Sequence, residues 1–236
     1  MTGSDEMDVL IARAWDNSVF SRLPDDFGAS LAAVSERCSL HAGETVKRDR
    51  VSHLHLVADG LLRDYLTSPS ARQITLRYLR PGAVIGLAAA IGWRGATPFE
   101  RLVEWTTIEA LRDTTLLRVP WQVFDRRMRE DPAVSMAVIE ELGAMVRAFQ
   151  GMIYEHAFAP VRQRVAHHLI ELAVDRGDED GIVANHEQIA RSVGSVREVV
   201  CRVLKGLETD ELVRRRGQRI VLVDAVALQG VAAGSV

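Results

Sequence analysis

The chain has 236 residues, 47% of them hydrophobic and 26% charged, with a formal net charge of -3 at pH 7. That is enough apolar matter to bury a sizeable core in one large or two smaller domains. The charge balance excludes a polybasic nucleic-acid coat, so any contact with DNA must come from a local patch. Two cysteines, Cys38 and Cys201, are too few and too distant to suggest a disulfide framework. The first residues, MTGSDEMDVL, are acidic and lack the basic-then-apolar order of a signal peptide. The longest apolar stretch, 83–91, falls far short of the ~20 residues a membrane helix needs. These features point to a soluble, cytoplasmic protein without a membrane partner.

Residues 1–37 carry short amphipathic helical signals, with Val9, Leu10 and Ala14 and then Leu31 and Val34. From Cys38 to Val119 the period changes to two. Apolar and polar residues alternate in 53–57, 61–66, 74–79 and 114–119, and Gly43, Asp59-Gly60, Ser68-Pro69-Ser70 and Pro81-Gly82 separate some of the runs. Many short strands at such spacing predict an all-β barrel or jelly roll, giving a first domain over 1–130.

Asp131 and Pro132 then open a long helix, the first as N-cap and the second in the first turn. Val138, Leu142, Met145, Phe149 and Met152 follow at steps of 4, 3, 4 and 3. This narrow heptad seam predicts a dimerisation helix over 131–159. Pro160 ends or kinks it. A further amphipathic helix carries Val165, Leu169, Leu172 and Ala173, and the loop 176–181 closes it.

The stretch 185–204 bears the most information. Asn185, with Gln188 three residues on, makes a capping box for a short helix whose inner face is Ile189 and Val193. Ala190 is small where two crossing helices approach, and Gly194 supplies a tight turn. Ser195 is placed to cap a second helix that buries Val199 or Val200, Val203 and Leu207. Two short helices around such a turn make a helix-turn-helix. Behind it, 211–224 reads as two strands joined at Gly217-Gln218, a β-hairpin wing. Residues 191–223 hold seven arginines and Lys205 against four carboxylates, a net charge of +4. Phosphate attraction therefore concentrates on the second helix and the wing.

At the second helix's N-terminus, Arg197, Glu198 and Arg202 lie away from the apolar face. Arginine pairs bidentately with guanine in the major groove, and glutamate accepts from cytosine N4. Arg191, Ser195, Lys205, Arg214, Arg215, Arg216 and Arg219 are expected to meet DNA as well, the wing arginines as phosphate contacts rather than sequence readers. Double-stranded DNA is thus the expected partner, and 160–236 is expected to be a winged helix-turn-helix domain.

These residues resemble the cyclic-AMP receptor and fumarate-nitrate regulator (CRP/FNR) superfamily over nearly the whole chain. Residues 70–86 look like its sensor barrel's strand–turn–strand, 157–173 like its hinge and first DNA-domain helix, and 194–202 like its recognition helix. The resemblance implies an α+β protein with a cyclic-nucleotide-binding-like barrel, a long dimer helix and the winged domain. It also implies a homodimer on a pseudo-palindromic site, with recognition helices about 34 Å apart, and RNA polymerase as a further partner. Arg197, Glu198 and Arg202 are similar to the branch that reads TGTGA-type half-sites. Val196 and Val199 stand where that branch often has hydroxyl side chains.

The expected effector pocket involves Gly86, Leu87, Glu104, Trp105 and Phe149. Relatives that bind cyclic AMP follow the glycine with a glutamate for the ribose and later carry an arginine for the cyclic phosphate. Here Leu87 and Glu104 stand at those places. An acidic residue repels a phosphate, so control by cyclic AMP is not expected, and the effector stays open. Four clustered cysteines for an iron–sulfur centre are missing. His53 and His55 share a strand face, as in cupin metalloenzymes, and a haem ligand among His41, His53, His55 and His156 is the other alternative. His167 and His168 are read as surface residues, and Met145, Phe149 and Met152 as dimer core. Cys201 lies within the recognition helix, either as a small filler or as a thiol that oxidation would enlarge and charge.

Overall fold

A computed structural model describes residues 3–46, 52–92, 106–174, 181–183, 185–217 and 219–234. The chain forms two compact units, one of residues 1–65 and 77–148, the other of residues 66–76 and 149–236. The dividing line falls inside the long helix, and the hairpin tip 66–76 clusters with the C-terminal unit.

The first unit begins with α1 (Gly3–Asp16), a 3-10 turn (Val19–Arg22) and α2 (Asp25–Ala33). Strands β1 (Glu36–Leu40), β2 (His53–Asp59), β3 (Leu62–Thr67), β4 (Gln73–Leu79) and β5 (Val84–Ile85) follow. After α3 (Leu87–Gly92) come β6 (Thr106–Ala110) and β7 (Thr114–Pro120). One sheet has the order β1-β7-β2-β5 and another β4-β3-β6, and β1–β7, β7–β2 and β2–β5 all pair antiparallel. Between the sheets lie Val57, Leu62, Leu79, Ile85, Ile108 and Leu116.

Alternation along β2 sends Leu54, Leu56 and Ala58 to the other face of their sheet. There they meet Phe20, Phe27 and Leu31 and the two helices that follow β7, α4 (Trp121–Glu130) and α5 (Pro132–Phe158). The turn into β3 needs Gly60, whose φ is +105°. A Cβ there would sit 2.3 Å from Thr114 Oγ1.

His53 and His55 are half-buried. Burial, then Arg118 and His53, lower the His55 pKa to about 4. Arg118 Nη2 lies 3.4 Å from His53 Nε2, and Ser52 Oγ lies 2.9 Å from its Nδ1. Both ring nitrogens of His53 are thus engaged, one of them by a cation, where a metal site would need a lone pair. Among the described residues, no three His, Cys, Asp or Glu side chains are grouped to hold a metal ion.

Helix α5 starts as the sequence predicts, with Asp131 Oδ1 accepting from Ala133 N at 3.0 Å. The first part of the heptad seam expected to meet a partner faces the chain's own core instead. Val138 is 3% exposed in the chain's own core, Leu142 packs against that core, and Met145, Phe149 and Met152 are half-buried. Both faces of this helix are apolar, and the more apolar one covers the sheet. The row left outside is Met136, Ile139, Val146 and Ile153, each more than half exposed.

In the second unit, α6 (Val161–Ala173) follows Pro160, which ends α5 as expected. Then come β8 (Ile182–Val183), α7 (His186–Ser192), α8 (Arg197–Thr209), β9 (Val213–Arg216), β10 (Arg219–Leu222) and α9 (Ala225–Ala232). One core joins Val165 and Leu169 of α6 to Ile189, Val200, Leu204, Leu207, Ile220 and Leu228. His168 is buried at 7% exposure, not on the surface. Its neighbour His167 lies 2.8 Å from Glu155 and 3.6 Å from Glu171. Hydrogen bonds to Glu155 and Glu171 raise its pKa to about 10, so it is cationic at neutral pH and ties the end of α5 to α6. No helix among the described residues is long and apolar enough to cross a membrane.

Candidate nucleic-acid interface

The capping box at α7 is complete. Asn185 Oδ1 accepts from Gln188 N at 2.8 Å, and Gln188 Oε1 accepts from Asn185 N at 3.0 Å. Ile189, Ala190 and Val193 are buried. Gly194 then takes a φ of +64°, and Ser195 N donates to Ala190 O at 2.9 Å to close the turn. No side-chain or backbone atom lies closer than 3.9 Å to where its Cβ would be. The left-handed backbone, not crowding, is what calls for glycine. The hairpin tip braces this turn from within the same unit. Thr75 Oγ1 donates to Ser192 O at 3.0 Å, and Arg72 Nη2 donates to Gly194 O at 2.9 Å.

Helix α8 starts one residue later than Ser195 would place it. Its N-cap is Val196, which makes no side-chain cap. Ser195 therefore sits before the cap, half-buried, and Glu198 forms no capping box with it. Val200, Leu204 and Leu207 fill the core, with Val203 packed at its edge. At 100° per residue, Glu198, Arg202 and Lys205 lie opposite that face, with Arg197 to one side. All four are exposed. Among the described residues, Arg197, Glu198 and Arg202 make no hydrogen bond or ion pair, so their polar heads are available to a ligand. Arg191 is exposed too but pairs with Glu187 on its own helix at 3.3 Å.

The wing pairs β9 with β10 antiparallel, Arg216 opposite Arg219 and Arg214 opposite Val221. Its turn contains Gly217 at a φ of +62°, and Gln218 lies outside the described residues. Val213 and Ile220 are buried beneath it, while Arg214, Arg215, Arg216 and Arg219 are exposed. A cleft of about 640 Å³ runs between α7, the start of α8 and the wing. Arg197, Arg215 and Arg219 line it with Asn185, His186 and Gln188. Three arginines against the one carboxylate of Glu187 give the lining a net positive charge, in keeping with the local +4 of the sequence.

The expected effector residues do not all belong to one place that can be described. Glu104 and Trp105 lie outside the described residues. Gly86 has a φ of +98°, and Leu87 is 1% exposed, packed into the apolar core of the first unit. Leu87 thus serves that core rather than an open pocket.

Three features escaped the sequence reading. Strand β8 adds to the wing through Ile182 opposite Ile220. Helix α9 is capped by Asp224, which accepts from Ala227 N at 2.8 Å. His186 lies 2.9 Å from the Cys201 sulfur. A two-residue strand has no readable period, and a contact across 15 residues between two helices shows in no local pattern. Only the Asp224 cap carried a legible signal.

Comparison with known proteins agrees with this geometry. Residues 163–231 match the Crp-like helix-turn-helix domain, and residues 37–131 match the cyclic nucleotide-binding domain. The chain is 29% identical over 181 residues to the transcriptional regulator LdrP of Thermus thermophilus, covering 75% of this chain and 85% of that protein. It is 25% identical over 186 residues to the global nitrogen regulator of Synechococcus elongatus, covering 76% and 81% respectively. A solved CRP/FNR-family structure from Eubacterium rectale shares the fold with a TM-score of 0.74 at 24% identity, over 91% of this chain and 97% of that one.

Replacing Asn185 by Ala removes one half of the capping box. The winged domain is expected to lose roughly 0.5–2 kcal/mol, read as a lower denaturation midpoint at unchanged slope. An unchanged midpoint would show that the box does not hold α7.

Proposed function

The chain belongs to the CRP/FNR family of transcription regulators, and from that premise we propose that it acts as a homodimer on a pseudo-palindromic TGTGA-like site without control by cyclic AMP. The observation that carries the reading is the α8 surface. Arg197, Glu198 and Arg202 are exposed and unpaired among the described residues, on a helix fixed from behind by Val200, Leu204 and Leu207. Arg202 and Arg197 supply the bidentate donors that guanine accepts, and Glu198 the acceptor for cytosine N4. Lys205 and the wing arginines Arg214, Arg215, Arg216 and Arg219 supply phosphate contacts, with Arg191 and Ser195 at the margin. Val196, exposed at the N-cap, offers no hydroxyl to the backbone, so affinity leans on the arginines.

The outward row of α5 is the proposed dimer seam in place of Val138 and Leu142. Met136, Ile139, Gly143, Val146, Gln150 and Ile153 follow at steps of 3, 4, 3, 4 and 3, the period of a two-stranded coiled coil. Gly143 lets two such helices approach closely. The buried Leu87 supports the absence of cyclic-AMP control, because a carboxylate for a ribose hydroxyl would have to stand there. Bound to its site in the cytoplasm, the dimer would act on RNA polymerase.

Arg202→Ala is expected to cost ~1–3 kcal/mol on the specific site and to relax discrimination at one base pair. Fluorescence anisotropy against a panel of single-base variants measures both, and unchanged discrimination would remove Arg202 from the reading face. Ile139→Glu puts a charge in the proposed seam and is expected to shift the protein from dimer to monomer in sedimentation. A dimer that survives this change, and Val146→Glu as well, would place the interface elsewhere.

A further inference from the structure

Cys201 is the one cysteine of the winged domain and is not part of the base-reading row. It stands one turn after Arg197 and directly before Arg202. Its sulfur lies 2.9 Å from Nδ1 of His186, the first residue of α7. Both side chains are partly exposed, and His186 lines the arginine-bordered cleft between the helices and the wing. A thiol within hydrogen-bond reach of an imidazole is the arrangement by which a protein activates a sulfur nucleophile. We propose that Cys201 and His186 form a thiol–imidazole pair at which a hydroperoxide oxidises Cys201 to a sulfenic acid and so weakens DNA binding.

The chemistry closes on the residues present and one named oxidant. The thiol proton moves to Nδ1 of His186. The sulfur lone pair attacks one peroxide oxygen, and the O–O bond breaks. The departing oxygen takes the proton back from His186 and leaves as water, or as an alcohol from an organic hydroperoxide. Sulfur loses two electrons and the peroxide gains two. Burial, then Arg215 and Arg197, lower the His186 pKa, which favours the neutral ring with a free lone pair. Arg197 and Arg215 line the same cleft as His186, a source of positive charge near the negative charge that develops on the peroxide.

Cys38 provides the contrast. It is half-buried on β1, where desolvation raises its thiol pKa, and among the described residues it has no imidazole beside it. Slow reaction is expected there.

The consequence for DNA rests on the reading of α8 given above. An added oxygen cannot fit into a 2.9 Å contact, so the Cys201 and His186 side chains must separate beside Arg197. A sulfenate would also place negative charge within a turn of Arg197 and Arg202, attracting the guanidinium groups that DNA should engage and repelling phosphates.

The test uses the full-length reduced protein exposed to hydrogen peroxide, with dimedone trapping read by peptide mass spectrometry and DNA affinity read by anisotropy. Cys201 is expected to label about tenfold faster than Cys38, and affinity to fall about tenfold or more and return with dithiothreitol. Cys201→Ser should bind DNA equally with and without peroxide, and Cys38→Ser should remain sensitive. His186→Gln keeps a polar side chain but no base, and should slow labelling at Cys201 while Cys38 is unaffected. Equal labelling of the two cysteines, parental labelling in His186→Gln, or peroxide sensitivity in Cys201→Ser would each overturn the proposal. Labelling is read without DNA. Fast labelling of Cys201 in a reduced protein that selects no DNA sequence would therefore overturn the DNA reading and the regulatory step, not the thiol chemistry.

Discussion

What α8 buries determines what it can present. Val200, Leu204 and Leu207 are locked against Ile189, Val165 and Leu169 in one continuous core. A helix held on that side has no freedom to roll, so Glu198, Arg202 and Lys205 point outward at fixed angles. The left-handed turn at Gly194 sets the crossing of α7 and α8, and the capping box at Asn185 fixes where α7 begins. Supports already ordered before DNA arrives are what would let the proposed readers Arg197, Glu198 and Arg202 discriminate between bases. The wing depends on the same core through Val213 and Ile220, which leaves its arginines outside.

Much of this arrangement was legible in the sequence because it is local. The Asn185–Gln188 pair, Gly194 and the apolar spacing through Leu207 are each short-range signals with a direct backbone meaning, and all appear as expected. The strands at 53–59, 62–67, 73–79 and 114–120 coincide closely with the alternating runs. Where the reading failed, two elements competed for the same pattern. The heptad in 138–152 marks an apolar stripe without saying whether the chain's own sheet or a second chain covers it, and Val138 lies in the core. Ser195 has the chemistry of a cap, but the helix starts after Val196. His168 is polar on paper yet buried.

The output half of the molecule and its input half differ in how far their residues match the family. On α8, Arg197, Glu198 and Arg202, the residues proposed to read bases, are all exposed. In the barrel, Leu87, which the resemblance sets where cyclic-AMP-binding relatives carry a glutamate, is packed away among aromatic and aliphatic neighbours. If, as proposed, the sensor does not answer to cyclic AMP, binding would be gated elsewhere. The Cys201–His186 contact offers such a gate inside the winged domain itself, without passing through the barrel.

The most direct measurement is selection of tight binders from randomised DNA duplexes by the purified, reduced full-length protein. The expected winner is a pseudo-palindrome of two TGTGA-like half-sites whose centres are about one helical turn, ~34 Å, apart. A selected pool with no enriched motif, or with single unpaired half-sites, would contradict a dimer that reads DNA through Arg197, Glu198 and Arg202.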